Sequence, residues 1–183
     1  EFDQKLPNWW LFSFYIMIVY FVIFWVGYYQ LGFFKTDHDR VGAAMAKIEE
    51  KREAQLEELL KKLDDKALVA EWSHNETALA AGEATYKSVC LACHGEDLSA
   101  LTRIPGMDPI PMPGRSLTDG EWTHGGKPMD LFNIIKNGSP PESEGFKGAK
   151  MEAWGLKLPP KAIAEVTAYI ISKNPEEFEK YAQ

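Results

Sequence analysis

The chain has 183 residues, a formal net charge of −7 and 45% hydrophobic residues. One small domain with appendages fits that length, and the mild acidity offers nucleic acid no basic surface, so nucleic acid is not expected as a partner. The apolar residues are bunched: no charged residue occurs from residue 6 through residue 34.

That uncharged stretch is too long for an ordinary core helix and long enough to cross a bilayer, which takes about 20 residues. Trp9 and Trp10 stand at its entrance and Tyr28 and Tyr29 near its exit, as in the aromatic belts of membrane interfaces. A cleavable signal peptide would have a shorter apolar run followed by a small-residue cleavage site. Residues 1–36 therefore read as a retained membrane anchor with one transmembrane helix in contact with lipid. Lys5 before the span and Lys35 and Arg40 after it do not set its orientation. The chain begins at Glu1 rather than methionine, which reads as an incomplete N-terminus.

Residues 37–74 read as a charged helical spacer. The stretch to Trp72 is dense in Glu, Lys, Leu and Ala and contains no proline. Val41, Met45, Ile48, Leu56, Leu59 and Leu63 recur at spacings near three and four, with Arg52 interrupting the stripe. The pattern predicts an amphipathic helix with a narrow apolar seam. Two readings stand: a solvated spacer, or a seam that packs on a partner subunit or on the following domain.

Residues 75–183 read as the domain that carries the chemistry. Asn75 is placed to cap a helix over residues 76–89, on which Gly82 and Tyr86 share a face. The run Cys90-Leu91-Ala92-Cys93-His94 follows, and its cysteines are the only two in the chain. This spacing lets two thiols capture the two vinyl groups of a haem and sets an imidazole beneath the iron. Residues 100–120 hold Pro105, Pro109, Pro111 and Pro113, in a connection long enough to suggest cofactor wrapping. A second helix is predicted over residues 128–137, closed by Gly138. A third runs from Pro160 to about Lys173 and stops at Asn174-Pro175. Ile163, Val166, Tyr169 and Ile170 form its apolar face, and Gly82 is expected to let the first helix cross it closely beside Tyr86 and Tyr169. No segment reads as an alternating strand, so the fold class is all-α.

A six-coordinate iron needs a second ligand. Met151, in Gly148-Ala149-Lys150-Met151-Glu152-Ala153-Trp154-Gly155, is the natural candidate, with Trp154 as a further cofactor contact. Met107 and Met112 in the long loop, and His124, are competing distal ligands. A zinc site using His124 lacks a second half-motif, and a thioredoxin-like pair lacks its strands. His38 and His74 read as solvated. The assignment is thus one covalent haem c, with Cys90 and Cys93 as thioether attachments, His94 as proximal ligand and Met151 as distal ligand. Iron closed by nitrogen and sulfur suits electron transfer rather than substrate chemistry.

Over almost all of residues 76–183 the sequence resembles the class I cytochrome c family. Leu6-Pro7-Asn8-Trp9-Trp10 ahead of the apolar helix resembles the start of the CcoP/FixP subunit of cbb3-type haem–copper oxidases. So do Ser116-Leu117-Thr118-Asp119, Glu121-Trp122, His124-Gly125-Gly126 and Met151-Glu152-Ala153-Trp154-Gly155. That subunit usually carries two haem motifs and this chain has one, a single-haem version. The family often has a proline before the Leu-Thr-Asp run, whose carbonyl accepts the proximal imidazole's proton. Arg115 and Ser116 stand there instead, with the nearest proline at Pro113, which leaves the partner of His94 open.

The resemblance implies a membrane-anchored subunit of an aerobic respiratory chain, passing electrons from a soluble or membrane-bound donor cytochrome to the other integral subunits of a terminal oxidase. Such a chain has no catalytic centre of its own. The resemblance also implies the bacterial inner membrane, with a single pass and the haem domain on the periplasmic side, where c-type haem is attached. The alternative is a tethered electron shuttle between other respiratory or photosynthetic complexes.

Overall fold

Between residues 8 and 29 the side chains carry no charge, and the backbone closes its own hydrogen bonds as a helix, α1 (Asn8–Tyr29). Inside a bilayer that is the arrangement a single segment can adopt without orphaned amides. Pro7 supplies the carbonyl that accepts from Trp10 and Leu11. Apolar side chains project all round α1: Phe12, Ile16, Val19, Phe21 and Ile23 are all exposed. An apolar helix with most of its side chains exposed is suited to lipid rather than to a protein core. The computed structural model describes residues 6–31, 37–143 and 148–182. Lys5 and Lys35, weighed for orientation, lie outside the described residues, as does Phe34.

The chain divides into two compact units, Glu1–Lys51 and Arg52–Gln183. The long helix α2 (Asp37–Leu60) belongs to the first up to Lys51 and to the second from Arg52. It is shorter than the continuous helix predicted to Trp72. The chain turns at Lys61 and Lys62 and restarts as α3 (Asp65–Ala70), because the Asp64 carboxylate accepts from the Ala67 amide at 2.6 Å and caps a new helix. The apolar seam also divides. Val41, Met45 and Ile48 are exposed, whereas Leu63 is buried and Leu56 and Leu59 pack on the core of the second unit. For the C-terminal half of the seam, the packed reading holds.

The second unit then runs through α4 (Glu76–Thr85), a π turn over Tyr86–Cys90, α5 (Leu91–His94), α6 (Pro128–Asn137), α7 (Pro160–Ser172) and α8 (Pro175–Phe178). Asn75 caps α4, its side chain accepting from the Ala78 amide at 3.1 Å. Pro128 opens α6, and Gly138, at φ 76°, closes it. The predicted face of α7 is the buried one: Ile163, Val166, Tyr169 and Ile170 all lie in the core, with Phe132 of α6, Phe178 of α8 and Leu68 of α3. α3 is tied to α6 by the Met129 amide, which donates to Asp65 Oδ1 at 2.7 Å. Among the described residues, the one departure from an all-helical reading lies in the proline-rich loop. There the two-residue strands β1 (Leu101–Thr102) and β2 (Ile110–Pro111) pair antiparallel. Two residues are too few for alternation to appear in a sequence.

The crossing of α4 over α7 occurs at Gly82. A β-carbon there would run into the Glu165 carbonyl and lie 2.9 Å from Tyr169 Cβ, while the Tyr86 and Tyr169 rings sit 5.5 Å apart beside it. Gly82→Ala is therefore expected to destabilise the protein by about 1–3 kcal/mol, the usual cost of overpacking. Denaturant unfolding checks this, and a change below about 0.5 kcal/mol would mean the helices tolerate the extra carbon.

Candidate haem site

The cysteine motif is presented by a change of helical pitch. At Tyr86 the hydrogen-bond ladder of α4 widens into a π turn, with the Leu91 amide reaching back to the Tyr86 carbonyl; such bulges recur at functional sites. Cys90 closes that turn and is buried, while Cys93 and His94 lie on α5, where Cys93 is exposed. Gly95 ends α5 at φ 79°. The Tyr86 hydroxyl donates to the Gly95 carbonyl at 2.6 Å and ties the exit of the motif back to its entrance. Burial pushes the Tyr86 phenol above its ordinary range, so it stays a donor. Burial, with a smaller contribution from neighbouring Cys93, pushes the Cys90 thiol up to about 11.

His94 Nδ1 donates to the Arg115 carbonyl at 2.8 Å. A carbonyl only accepts, so Nδ1 carries the proton and Nε2 is left with its lone pair. Burial lowers the pKa of the ring, and the hydrogen bond to Arg115 opposes that shift, which favours the neutral form that ligates metals. The residue standing in place of the expected proline thus serves through its main chain. Gly114 makes the approach possible: a β-carbon there would lie 2.5 Å from the Cys93 carbonyl oxygen and 2.9 Å from His94 Nδ1. The Gly114 amide also donates to the Cys93 carbonyl at 2.9 Å.

Cys90, Cys93, His94, Met151 and Trp154 all line one cavity of about 440 Å³, within the range of cofactor sites. Its apolar wall includes Val89, Leu117, Leu131, Ile135 and Ile170. Two thiols, an imidazole with one free nitrogen and a thioether around an apolar hollow make a donor set that fits haem c. Of the competing ligands, His124 lines this cavity. Met107 is exposed on the loop between β1 and β2, and Met112 borders a separate hollow with Ser99 and Asp119. His38 is exposed; His74 is exposed too, and its Nδ1 lies 3.0 Å from the Val69 carbonyl. Among the described residues, no group of three or more His, Cys, Asp or Glu side chains is placed to hold a metal ion.

Sequence reasoning gave no site role to the residues that hold the wall. Trp122 lines the cavity, and its Nε1 donates to Glu177 Oε2 at 2.9 Å. Asn174 donates to the Leu117 and Ile170 carbonyls at 2.9 and 2.8 Å. In the sequence, an asparagine before a proline signals only the end of a helix. Gly114 carried a legible signal, since it lies between Pro113 and the residue at the expected carbonyl position.

Comparison with known proteins points to one family. Residues 77–170 match the family described as cytochrome c oxidase, cbb3-type, subunit III. Residues 1–35 match the N-terminal domain of cytochrome oxidase-cbb3, FixP. The cbb3-type cytochrome c oxidase subunit FixP of Sinorhizobium medicae is 25% identical over 185 residues, covering 94% of this chain and 59% of that protein. The subunit CcoP of Rhodobacter capsulatus is 28% identical over 188 residues, with 93% and 59% coverage. CcoP of Rubrivivax gelatinosus is 31% identical over 139 residues, 75% of this chain and 42% of that protein. The chain thus spans about three fifths of the length of the first two relatives.

Because the partner of His94 is a main-chain oxygen, Arg115→Ala should leave the His94 Nδ1 proton protected from exchange. Gly114→Val should expose it and destabilise the protein by about 1–3 kcal/mol. Proton exchange followed by NMR checks both; equal protection in the two variants would contradict the backbone assignment.

Proposed function

The chain belongs to the family of cbb3-type cytochrome c oxidase subunit III, and from that premise we propose that it is the membrane-anchored electron-transfer subunit of a terminal oxidase. One haem c is held covalently by Cys90 and Cys93, with His94 as proximal ligand, Met151 as distal ligand and Trp154 against the cofactor. When bound, the haem supplies a one-electron ferric–ferrous couple that histidine–methionine ligation sets at a raised potential. The observation that carries this reading is the meeting of both cysteines, an imidazole with a free Nε2 and Met151 in one apolar cavity.

The chain's own residues hold and shield that site. The Arg115 carbonyl fixes the His94 ring and its tautomer, as outer partners of metal-ligating histidines do. Tyr86 fixes the end of the motif, and Trp122, held by Glu177, closes part of the wall against water. Residues 1–36 anchor the chain in the bacterial inner membrane, residues 37–74 lead on from the anchor, with Leu63, Leu68 and Val69 packed in the core of the haem unit, and residues 75–183 carry the haem on the periplasmic side. Electrons arrive from a donor cytochrome, and the other integral subunits of the oxidase are the partners. The names of the relatives and the match over residues 1–35 support this placement.

Isolation of the native protein in mild detergent tests the assembly: haem–copper subunits should co-purify, and a free monohaem protein would argue for a tethered shuttle. At the site, Met151→Ala should lower the reduction potential or open the iron to external ligands, and an unchanged potential and spectrum would refute the distal assignment. His94→Ala should largely prevent haem incorporation; normal low-spin haem in that variant would refute the proximal one.

A further inference from the structure

Met151 is held by a residue that the cofactor reading does not use. The Ser139 amide donates to the Met151 carbonyl at 3.0 Å, and the Met151 amide donates to Ser139 Oγ at 3.0 Å. Both main-chain polar groups of Met151 are therefore taken by one residue, itself on the wall of the haem cavity. The first of these bonds needs only a backbone at position 139; the second needs a side-chain oxygen one carbon out from it.

Ser139 sits just past the C-terminal end of α6. It follows Gly138, where α6 ends in the left-handed region at φ 76°. A β-carbon on Gly138 would lie 2.7 Å from the Met151 carbonyl oxygen and 2.8 Å from the Ala153 nitrogen. Slightly earlier on α6, Lys136 meets the far end of the same segment: a β-carbon on Gly155 would lie 2.7 Å from the Lys136 carbonyl oxygen. Two glycines thus let residues 151–155 lie flat against the end of α6. That helix is anchored by buried Leu131, Phe132 and Ile135 and by the Met129–Asp65 hydrogen bond.

We infer that Ser139 is the positioning residue for the distal ligand: its hydroxyl keeps the Met151 backbone docked on α6 and so holds the thioether in the cavity. This rests on the reading of Met151 as distal ligand. A short side-chain acceptor is what the site requires. Alanine would leave the Met151 amide without its partner, whereas threonine keeps the oxygen.

The test uses the full haem-loaded chain in detergent, with carbon monoxide as the probe of an open iron in the reduced protein. Ser139→Ala should bind carbon monoxide about tenfold more tightly than the native chain, the scale on which outer-sphere changes act on metal sites. Ser139→Thr should remain within about twofold of native, and Met151→Ala sets the fully open limit. If Met151→Ala opens the iron and Ser139→Ala behaves as native, the positioning role is overturned while the distal ligand stands. If Met151→Ala leaves carbon monoxide binding unchanged, the ligand assignment falls and the inference falls with it. Should Ser139→Ala not fold, amide exchange in the native chain decides: slow exchange at Met151 supports the bond to Ser139, and exchange at the rate of an open loop overturns it.

Discussion

Two helices that pass so closely that one must carry a glycine set the frame of the haem unit. The contact of Gly82 with Glu165 and Tyr169 fixes α4 on α7, and both walls of the cavity hang from that pair. On one side α4 widens directly into the π turn that carries Cys90, so the position of the motif follows from the position of α4. On the other, Asn174, just past the end of α7, holds the Leu117 carbonyl, and α8 supplies Glu177, which holds Trp122. The proline-rich loop has few regular hydrogen bonds of its own. It is shaped by these pins and by its bonds to the motif at Cys93 and His94.

A unit of this size encloses little core, and a domain with a small core gains much from an apolar cofactor at its centre. The buried side chains surround the cavity rather than fill it: Leu131, Ile135 and Ile170 belong both to the core and to the cavity wall. Polar bonds around the motif come largely from the main chain. Tyr86 and His94 are each held by a main-chain carbonyl, whereas Met151 is held by both the amide and the hydroxyl of Ser139. Among the described residues, every buried side-chain nitrogen or oxygen has a partner, as expected where an unpaired polar group would be costly.

What could be read from the sequence was what one residue or one period encodes. The cysteine motif, the Pro128 and Pro160 starts, the Gly138 stop and the Gly82 crossing each follow from local chemistry, and the helices appear where those signals put them. The break near Lys61 was less legible, because the apolar period of α2 continues past it to Leu63 and only the capping ability of Asp64 opposes it. The partner of His94 stayed open between the residues at that position for a different reason. A backbone carbonyl belongs to every residue, so nothing in the identity of Arg115 announces it. Ser139 was hidden likewise, since its meaning comes from a pairing with a residue twelve positions away that no helical or strand period links.

α2 shows how far a period can be trusted. Its stripe looks continuous, but only Leu56, Leu59 and Leu63 meet the core, while Val41, Met45 and Ile48 stay exposed. Nor do its charges hold the helix. The Glu57–Lys61 pair at 2.9 Å lies in solvent, and exposed i,i+4 pairs contribute only about 0.3–0.5 kcal/mol each. A helix of this composition forms instead because Ala, Glu, Lys, Leu and Gln lose little side-chain freedom in it. Propensity therefore makes the helix, whereas burial decides which part becomes structure for the haem unit. The division falls inside α2, between Lys51 and Arg52, ahead of α3, which Asp64 caps and Asp65 bonds to α6.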